Sequence, residues 1–227
     1  MTEEVEPHPL LIEYLQIAYN LNDEVNKNLE EFFQAGEWHY IQADIETNIF
    51  LLKRLDEEGL LSSEVNMCDC GIGLGTILYD LYLQSKEFDN KFTFTGIEKY
   101  KRYTDPLRTY LLKYWNDELN LIEDDIMNVD YSNWNFIYFY QPFKVQDKAI
   151  KFYLKVIEEV KPHILITYDE IGGYGHPDHI QAHRVAMKAS ELSTWQIQKI
   201  YWNTIPKSVI AQGMEKMKEV GSDFFGA

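Results

Sequence analysis

Apolar residues recur at helical spacing in the first part of the chain and predict amphipathic helices there. The pattern spans residues 10–33 and returns over residues 45–55. Gly59 follows the second stretch, and glycine commonly ends a helix by adopting a left-handed backbone. Residues 1–60 are therefore predicted to form N-terminal helices ahead of the rest of the fold.

The rhythm then changes, and short β-rich runs alternate with helical stretches. The predicted strands are residues 65–69, 92–97, 119–122, 136–140, 163–168 and 196–204, and the predicted helices are residues 76–84, 104–114, 147–160, 176–192 and 207–220. This alternation indicates βαβ units and a parallel sheet. We predict a single α/β domain, a Rossmann-like doubly wound, mostly parallel sheet of about six strands with helices on both faces. Residues 64–161 would form its cofactor-binding half and residues 162–227 its C-terminal half.

The net charge of the chain argues against some classes of binding partner. It carries 37 acidic against 21 basic residues, a net charge of −16, which repels nucleic-acid backbones and anionic membranes. No nucleic acid or membrane partner is expected, although a local basic groove stays open as an alternative. The N-terminus is acidic, without a signal-peptide pattern, and no apolar run reaches the roughly 20 residues of a membrane helix. A cytoplasmic location is therefore expected.

The two cysteines, Cys68 and Cys70, lie one residue apart on a predicted strand, so their side chains share a face. Nearly parallel side-chain directions suit a disulfide poorly, and ordinary zinc sites use wider spacings. We predict two reduced, small core residues, with a metal role as the lesser alternative.

A glycine-rich run joins the first predicted strand to a helix, the context in which such a loop holds a nucleotide-type ligand. Its glycines are Gly71, Gly73 and Gly75, and Asp69 lies two positions before the first of them. A dinucleotide loop has a different spacing, and a carboxylate here would repel a pyrophosphate. It suits instead a ligand with an ammonium group and a sulfonium. The pattern resembles the first motif of class I S-adenosylmethionine-dependent methyltransferases, and the resemblance covers about residues 37–161.

That resemblance implies a set of cofactor-binding residues. Asp69 and the three glycines would form the loop, Glu98 would hold the ribose hydroxyls, and Asp125 would contact the adenine amine. Ile126 would pack on the adenine ring, and Tyr40 would touch the methionine moiety. The alternative for Glu98 and Asp125 is a solvated loop carboxylate. The methyl acceptor would be a small molecule or a protein, and no catalytic residue is assigned because methyl transfer needs mainly proximity and orientation.

The C-terminal segment carries a different motif, Gly-Tyr-Gly-His-Pro-Asp-His at residues 173–179. Over about residues 160–227 the chain resembles the PIG-L/LmbE-like zinc deacetylases. The resemblance implies a deacetylase site with His179 as a zinc ligand, His176 assisting catalysis, Tyr174 polarising the amide carbonyl, and Asp178 beside them. The N-terminal motif that supplies the family's other ligands is missing from this chain.

Two interpretations of these histidines therefore remain. His179 and His183 lie four residues apart on one helix face and could share a metal, with Asp178 as a third ligand. The alternative is capping and packing at a helix start, which Pro177 and Asp178 suit on their own. The chain as a whole reads as a chimera of two Rossmann-like families. Three hypotheses for its function follow: a methyltransferase, a zinc-dependent N-deacetylase with an incomplete site, or an inactive chimeric domain.

Overall fold

The chain folds into alternating helices and strands in a computed structural model that describes residues 7–27, 34, 51–140 and 142–204, apart from the side chain of Tyr174. It divides into two compact units, Met1–Val145 (unit 1) and Gln146–Ala227 (unit 2). The predicted single domain stays a prediction. The predicted helix at residues 207–220 and Tyr40 lie outside the described residues, as do residues 28–33 of the first predicted helix and residues 45–50 of the second.

Unit 1 opens with helix α1, Pro9–Val25, whose start is fixed by His8: its Nδ1 accepts the backbone N–H of Leu10 at 3.1 Å. The elements that follow are α2 (Leu51–Glu57), β1 (Glu64–Cys70), α3 (Thr76–Ser85), β2 (Lys91–Ile97), α4 (Lys101–Pro106), β3 (Leu119–Ile122) and β4 (Phe136–Phe139). Unit 2 contains α5 (Gln146–Val160), β5 (Ile164–Tyr168), the short α6 (Gly172–Gly175), α7 (Pro177–Leu192) and β6 (Lys199–Asn203).

The strands of unit 1 form one sheet in the order β3-β2-β1-β4, and every neighbouring pair is parallel. Strand β1 is central and its last four residues are buried, as expected for a strand covered on both faces. The predicted α/β class with a parallel sheet is confirmed.

The predicted sheet of about six strands is wrong, because the main sheet has four strands within the described residues. Strands β5 and β6 pair with each other in parallel over five residues and form a sheet of their own in unit 2. Helix α7 makes the crossover between them, so they are a complete βαβ unit. The alternation of strands and helices predicts such units, but it does not specify whether successive units share one sheet.

The helix predicted over residues 104–114 is also not a single regular helix. It begins earlier, at Lys101, and changes after Pro106 into a π-helical turn at Leu107–Leu111 and a 3-10 turn at Leu112–Trp115. Proline lacks the N–H that continues an α-helical ladder, which accounts for the change at this point. The irregular turns direct Trp115 into the core, where it is fully buried.

The core of unit 1 is unusually aromatic on the side where α1 packs on α3. Its largest fully buried side chains there are Tyr14, Tyr79, Phe94 and Trp115.

Cys68 and Cys70 are buried free cysteines, so the prediction of reduced core residues is confirmed. Among the described residues, no helix has the length and apolar character that crossing a bilayer requires.

Candidate functional site

The candidate site lies at the carboxyl end of β1, where the strand order of unit 1 reverses. The chain proceeds from β1 to β2 and β3 on one side, whereas β4 lies on the other side of β1. Ligands of open α/β sheets bind at such a switch point, in the crevice outside the strand ends. Asp69 is at this end of β1, paired in register with Gly96 of β2 and Tyr138 of β4.

The loop after β1 needs its glycines because the backbone is left-handed at three positions. The φ angles are +84° at Gly71, +55° at Gly73 and +75° at Gly75, a region that residues with a side chain rarely adopt. The backbone N–H groups of Gly71 and Ile72 both donate to the carbonyl of Ile97, at 2.8 and 3.0 Å. These bonds fold the loop over the end of β2.

Gly96 is a residue of this site that the sequence interpretation missed. A Cβ at Gly96 would lie 2.2 Å from Cδ1 of Ile72, so only glycine leaves room for the loop to lie on β2. The signal was present in the sequence as a glycine inside a β-rich strand, which commonly marks a close backbone approach.

Glu98 directly follows β2 and anchors the loop through its carboxylate. Its Oε2 accepts the N–H of Gly73 at 3.3 Å, and its Oε1 accepts the N–H of Tyr100 at 3.0 Å. The side chain is only 6% exposed. Burial raises the pKa of Glu98 to about 7, although backbone hydrogen bonds and the charge of Lys99 oppose the shift. Three backbone N–H groups, those of Gly73, Lys99 and Tyr100, therefore bond to this carboxylate, which has about four acceptor positions and can still accept a hydrogen bond from a ligand.

Asp69 is the second buried carboxyl group at this loop and is 5% exposed. Burial, and then the charge of Glu98, raises the pKa of Asp69 to about 8. Two buried carboxyl groups favour a cationic ligand and oppose a phosphate. Because the N–H of Gly73 is already bonded to a carboxylate, the loop differs from the free N–H groups with which phosphate loops bind anions.

Asp125 and Ile126 follow β3, at the same edge of the sheet. Asp125 is paired: its Oδ2 lies 3.3 Å from Nζ of Lys99, and its Oδ1 accepts the N–H of Met127 at 2.9 Å. Its side chain is 31% exposed, whereas Ile126 is buried. Glu123, the first residue after β3, instead pairs with Arg108. The structure thus brings Asp69, Glu98 and Asp125 to successive strand ends. The side chain of Lys99 pairs with Asp125 and its charge also acts on Glu98, which the sequence did not reveal.

The three histidines of the C-terminal motif region, His176, His179 and His183, lie at the start and in the first two turns of α7. Nδ1 of His176 accepts the N–H of Asp178 at 3.2 Å and caps this helix, with Pro177 in its first turn. The ring of His179 stacks on Tyr168, with centroids 3.8 Å apart and planes 4° apart. Burial and the neighbouring His176 lower the pKa of His179, which favours the neutral ring.

The residues described in unit 2 do not form a complete zinc site. Nδ1 of His179 lies 3.3 Å from the carbonyl of Gly172, and Nδ1 of His183 lies 2.8 Å from the carbonyl of Tyr168. Metal-binding histidines make the same kind of contact through the ring nitrogen that does not bind the metal, so the number of ligands decides the question. Across the described parts of the chain, no group of three His, Cys, Asp or Glu side chains is arranged to hold a metal ion. The capping interpretation accounts for His176, and ring packing accounts for His179. Whether Tyr174, Asp178 and His183 act in catalysis or metal binding stays a prediction.

Comparison with known proteins gives different relatives for different parts of the chain. No protein-family model matches it. One segment is 50% identical over 86 residues to a 1D-myo-inositol 2-acetamido-2-deoxy-alpha-D-glucopyranoside deacetylase of Catenulispora acidiphila. The match covers 33% of this chain and 27% of that protein. A deacetylase of the same description from Geodermatophilus obscurus is 43% identical over 88 residues, which cover 34% of this chain and 30% of the relative. The resemblance of one segment to sugar deacetylases is confirmed, and the chain spans less than a third of these relatives.

Several solved structures to which the chain is similar are described as methyltransferases. One is described as a class I S-adenosylmethionine-dependent methyltransferase from Listeria monocytogenes, with 16% identity, a TM-score of 0.39, and coverage of 67% of this chain and 47% of that one. Another S-adenosylmethionine-dependent methyltransferase, from Methanococcus maripaludis, has 14% identity, a TM-score of 0.41, and coverage of 97% and 88%.

Proposed function

We propose that the chain is an S-adenosylmethionine-dependent methyltransferase whose cofactor binds at the glycine loop of unit 1. The observation that carries the proposal is the pair of buried carboxyl groups, Asp69 and Glu98, at the sheet's switch point. A site of this charge suits a ligand with an ammonium group, a sulfonium and ribose hydroxyls, and opposes a phosphate.

The residues present fit the cofactor in the following roles. The buried Asp69 would balance the cation of the methionine part, and the buried Glu98 would accept from the ribose hydroxyls. Asp125 would accept from the adenine amine, and the buried Ile126 would pack on the ring. Lys99 shares the carboxylate of Asp125, so its side chain would set the position of that acceptor.

When bound, S-adenosylmethionine supplies an electrophilic methyl group on its sulfonium. The contribution of the protein is then to hold and orient the two reactants and to exclude water. No residue is assigned to take up the proton that an O–H or N–H acceptor would release. The acceptor would approach past the end of β4, where Tyr140 is 37% exposed. The net charge of −16 favours a neutral or cationic acceptor over a phosphorylated one, and a small molecule and a protein remain alternatives.

Calorimetric titration of the chain with S-adenosylhomocysteine tests the proposal. Binding at micromolar strength, about −8 kcal/mol, is expected. Asp69→Asn should weaken it at least about a hundredfold, because the ammonium group, which is the cation that S-adenosylhomocysteine retains, loses its counter-charge. Asp89→Asn, which changes an exposed carboxylate elsewhere in unit 1, is the matched control and should bind as the parent chain does. A folded parent chain that does not bind, or an Asp69→Asn variant with unchanged affinity, would overturn the assignment.

A second candidate function comes from the 50% identity of one segment to sugar deacetylases. It is a zinc-dependent N-deacetylase that uses Tyr174, His176, Asp178, His179 and His183. Because the described histidines do not form a complete zinc site, no catalytic step is assigned to them. Metal analysis of protein purified without added zinc tests this candidate. A stoichiometric metal, together with release of acetate from an N-acetylglucosamine glycoside, would favour the deacetylase, and a metal-free protein that gains no activity on addition of zinc would count against it.

A further inference from the structure

The hydroxyl of Tyr14 reaches from helix α1 to the glycine loop, sixty residues further along the chain. Tyr14 Oη donates a hydrogen bond of 2.7 Å to the backbone carbonyl of Leu74. Both side chains are fully buried, so the bond is shielded from water. A buried carbonyl that loses such a partner is costly, because no water replaces it.

The ring of Tyr14 is held so that its hydroxyl has one direction. It stacks on Tyr79 with ring centroids 4.1 Å apart and planes 16° apart. Trp115 packs on its edge, and the indole Nε1 of Trp115 donates to Tyr14 Oη at 3.3 Å. The hydroxyl therefore accepts one hydrogen bond and donates another, and both partners are fixed in the core.

The loop is thus held from two sides at neighbouring peptides. Glu98 accepts the N–H of Gly73, and Tyr14 donates to the carbonyl of the next residue, Leu74. Gly75 completes the fit, since a Cβ there would lie only 3.0 Å from Tyr14 Oη. The Tyr14 hydroxyl lies directly beside Gly75, so a residue with a side chain at position 75 would contact this hydroxyl.

The geometry points to Tyr14 as a positioning residue for the cofactor loop, acting through the Leu74 carbonyl. This inference rests on the proposed function for its binding readout. Without the hydroxyl, the Leu74 carbonyl relaxes toward another donor and the unliganded loop leaves its binding geometry. Ligand binding must then restore that geometry, and the cost lowers the affinity.

Tyr14→Phe tests this, because it removes the hydroxyl and keeps the stacked ring. Tyr19→Phe, on the same helix at 70% exposure, is the matched control. Titration with S-adenosylhomocysteine should show about a tenfold weaker affinity for Tyr14→Phe, equivalent to about 1.4 kcal/mol, and no change for Tyr19→Phe. Amide hydrogen exchange of the unliganded variants should show faster exchange at Ile72 and Gly75, with β2 unchanged.

A second variant tests the contact itself. Gly75→Ala strains the backbone in any background, but only in the parent chain does its Cβ also meet the hydroxyl. The alanine should therefore weaken ligand binding less in the Tyr14→Phe background than in the parent, a non-additive pair.

The outcomes separate this inference from the proposed function. A parent chain that does not bind S-adenosylhomocysteine overturns the function, while hydrogen exchange still decides whether Tyr14 holds the loop. A Tyr14→Phe variant that is less stable but binds with parent affinity and exchanges at the parent rate overturns the positioning role. Additive effects of the two substitutions also count against it.

Discussion

Replacing Asp69 with asparagine should make the free energy of unfolding of unit 1 less dependent on pH. Burial, followed by the charge of Glu98, raises the pKa of Asp69 from 3.8 to about 8. Because the folded chain keeps a proton that the unfolded chain releases, stability present at low pH is lost as the pH rises toward 8. Each pH unit in that window removes about 1.4 kcal/mol, so the interval from pH 5 to pH 8 removes about 4 kcal/mol.

Asparagine has nearly the size of protonated aspartic acid and stays neutral throughout. The advantage of Asp69→Asn over the parent chain should therefore grow by about 4 kcal/mol between pH 5 and pH 8. Urea unfolding followed by circular dichroism at the two pH values measures this difference. Glu98 titrates in both proteins, so its contribution to the stability difference cancels to first order. Asp89→Asn, which changes an exposed carboxylate, is the matched control.

The reasoning fails if the stability difference between Asp69→Asn and the parent chain is the same at pH 5 and pH 8. Such a result would mean that the Asp69 carboxyl is already ionised in the folded chain at pH 5. The same substitution should abolish cofactor binding, so this residue would be retained for its charge at a cost in stability.

Two further substitutions examine the packing around the loop. Gly96→Ala places a Cβ 2.2 Å from Ile72 Cδ1 and should cost about 1–3 kcal/mol in unfolding free energy. It should also weaken S-adenosylhomocysteine binding, whereas Gly59→Ala, with nothing within 4 Å of its Cβ, should leave ligand affinity unchanged. Tyr79→Phe should leave the unfolding free energy unchanged or raise it by up to about 1 kcal/mol, because the Tyr79 hydroxyl is buried without a hydrogen-bond partner among the described residues. A clear loss of stability in urea unfolding would show that this hydroxyl is satisfied after all.

Local patterns in the sequence predicted which candidate residues lie at the ends of strands. The spacing of three glycines after a strand specifies left-handed turns, and Asp69 and Glu98 follow from their places at strand ends. The pairing of Asp125 with Lys99 was not predictable in this way, because it depends on how β2 and β3 align. The same applies to the sheet of unit 2, where pairing of β5 with β6 is decided by packing.

Tyr14 illustrates the limit most clearly. In the sequence it is one apolar position among several on α1, and it fits the helical stripe. Its hydroxyl gains a role only when α1 packs beside α3 and meets a carbonyl of the glycine loop. Contacts between residues this far apart in sequence are set by tertiary packing, on which periodicity carries no information.

The raised pKa values of Asp69 and Glu98, about 8 and about 7, also mean that these carboxyl groups carry protons near neutral pH when no cation is bound. Binding of a cationic ligand lowers both pKa values, so protons are released into the solvent. The heat of binding would then include the ionisation heat of whichever buffer takes up those protons. The affinity for such a ligand would rise with pH until both carboxyl groups are ionised in the free protein.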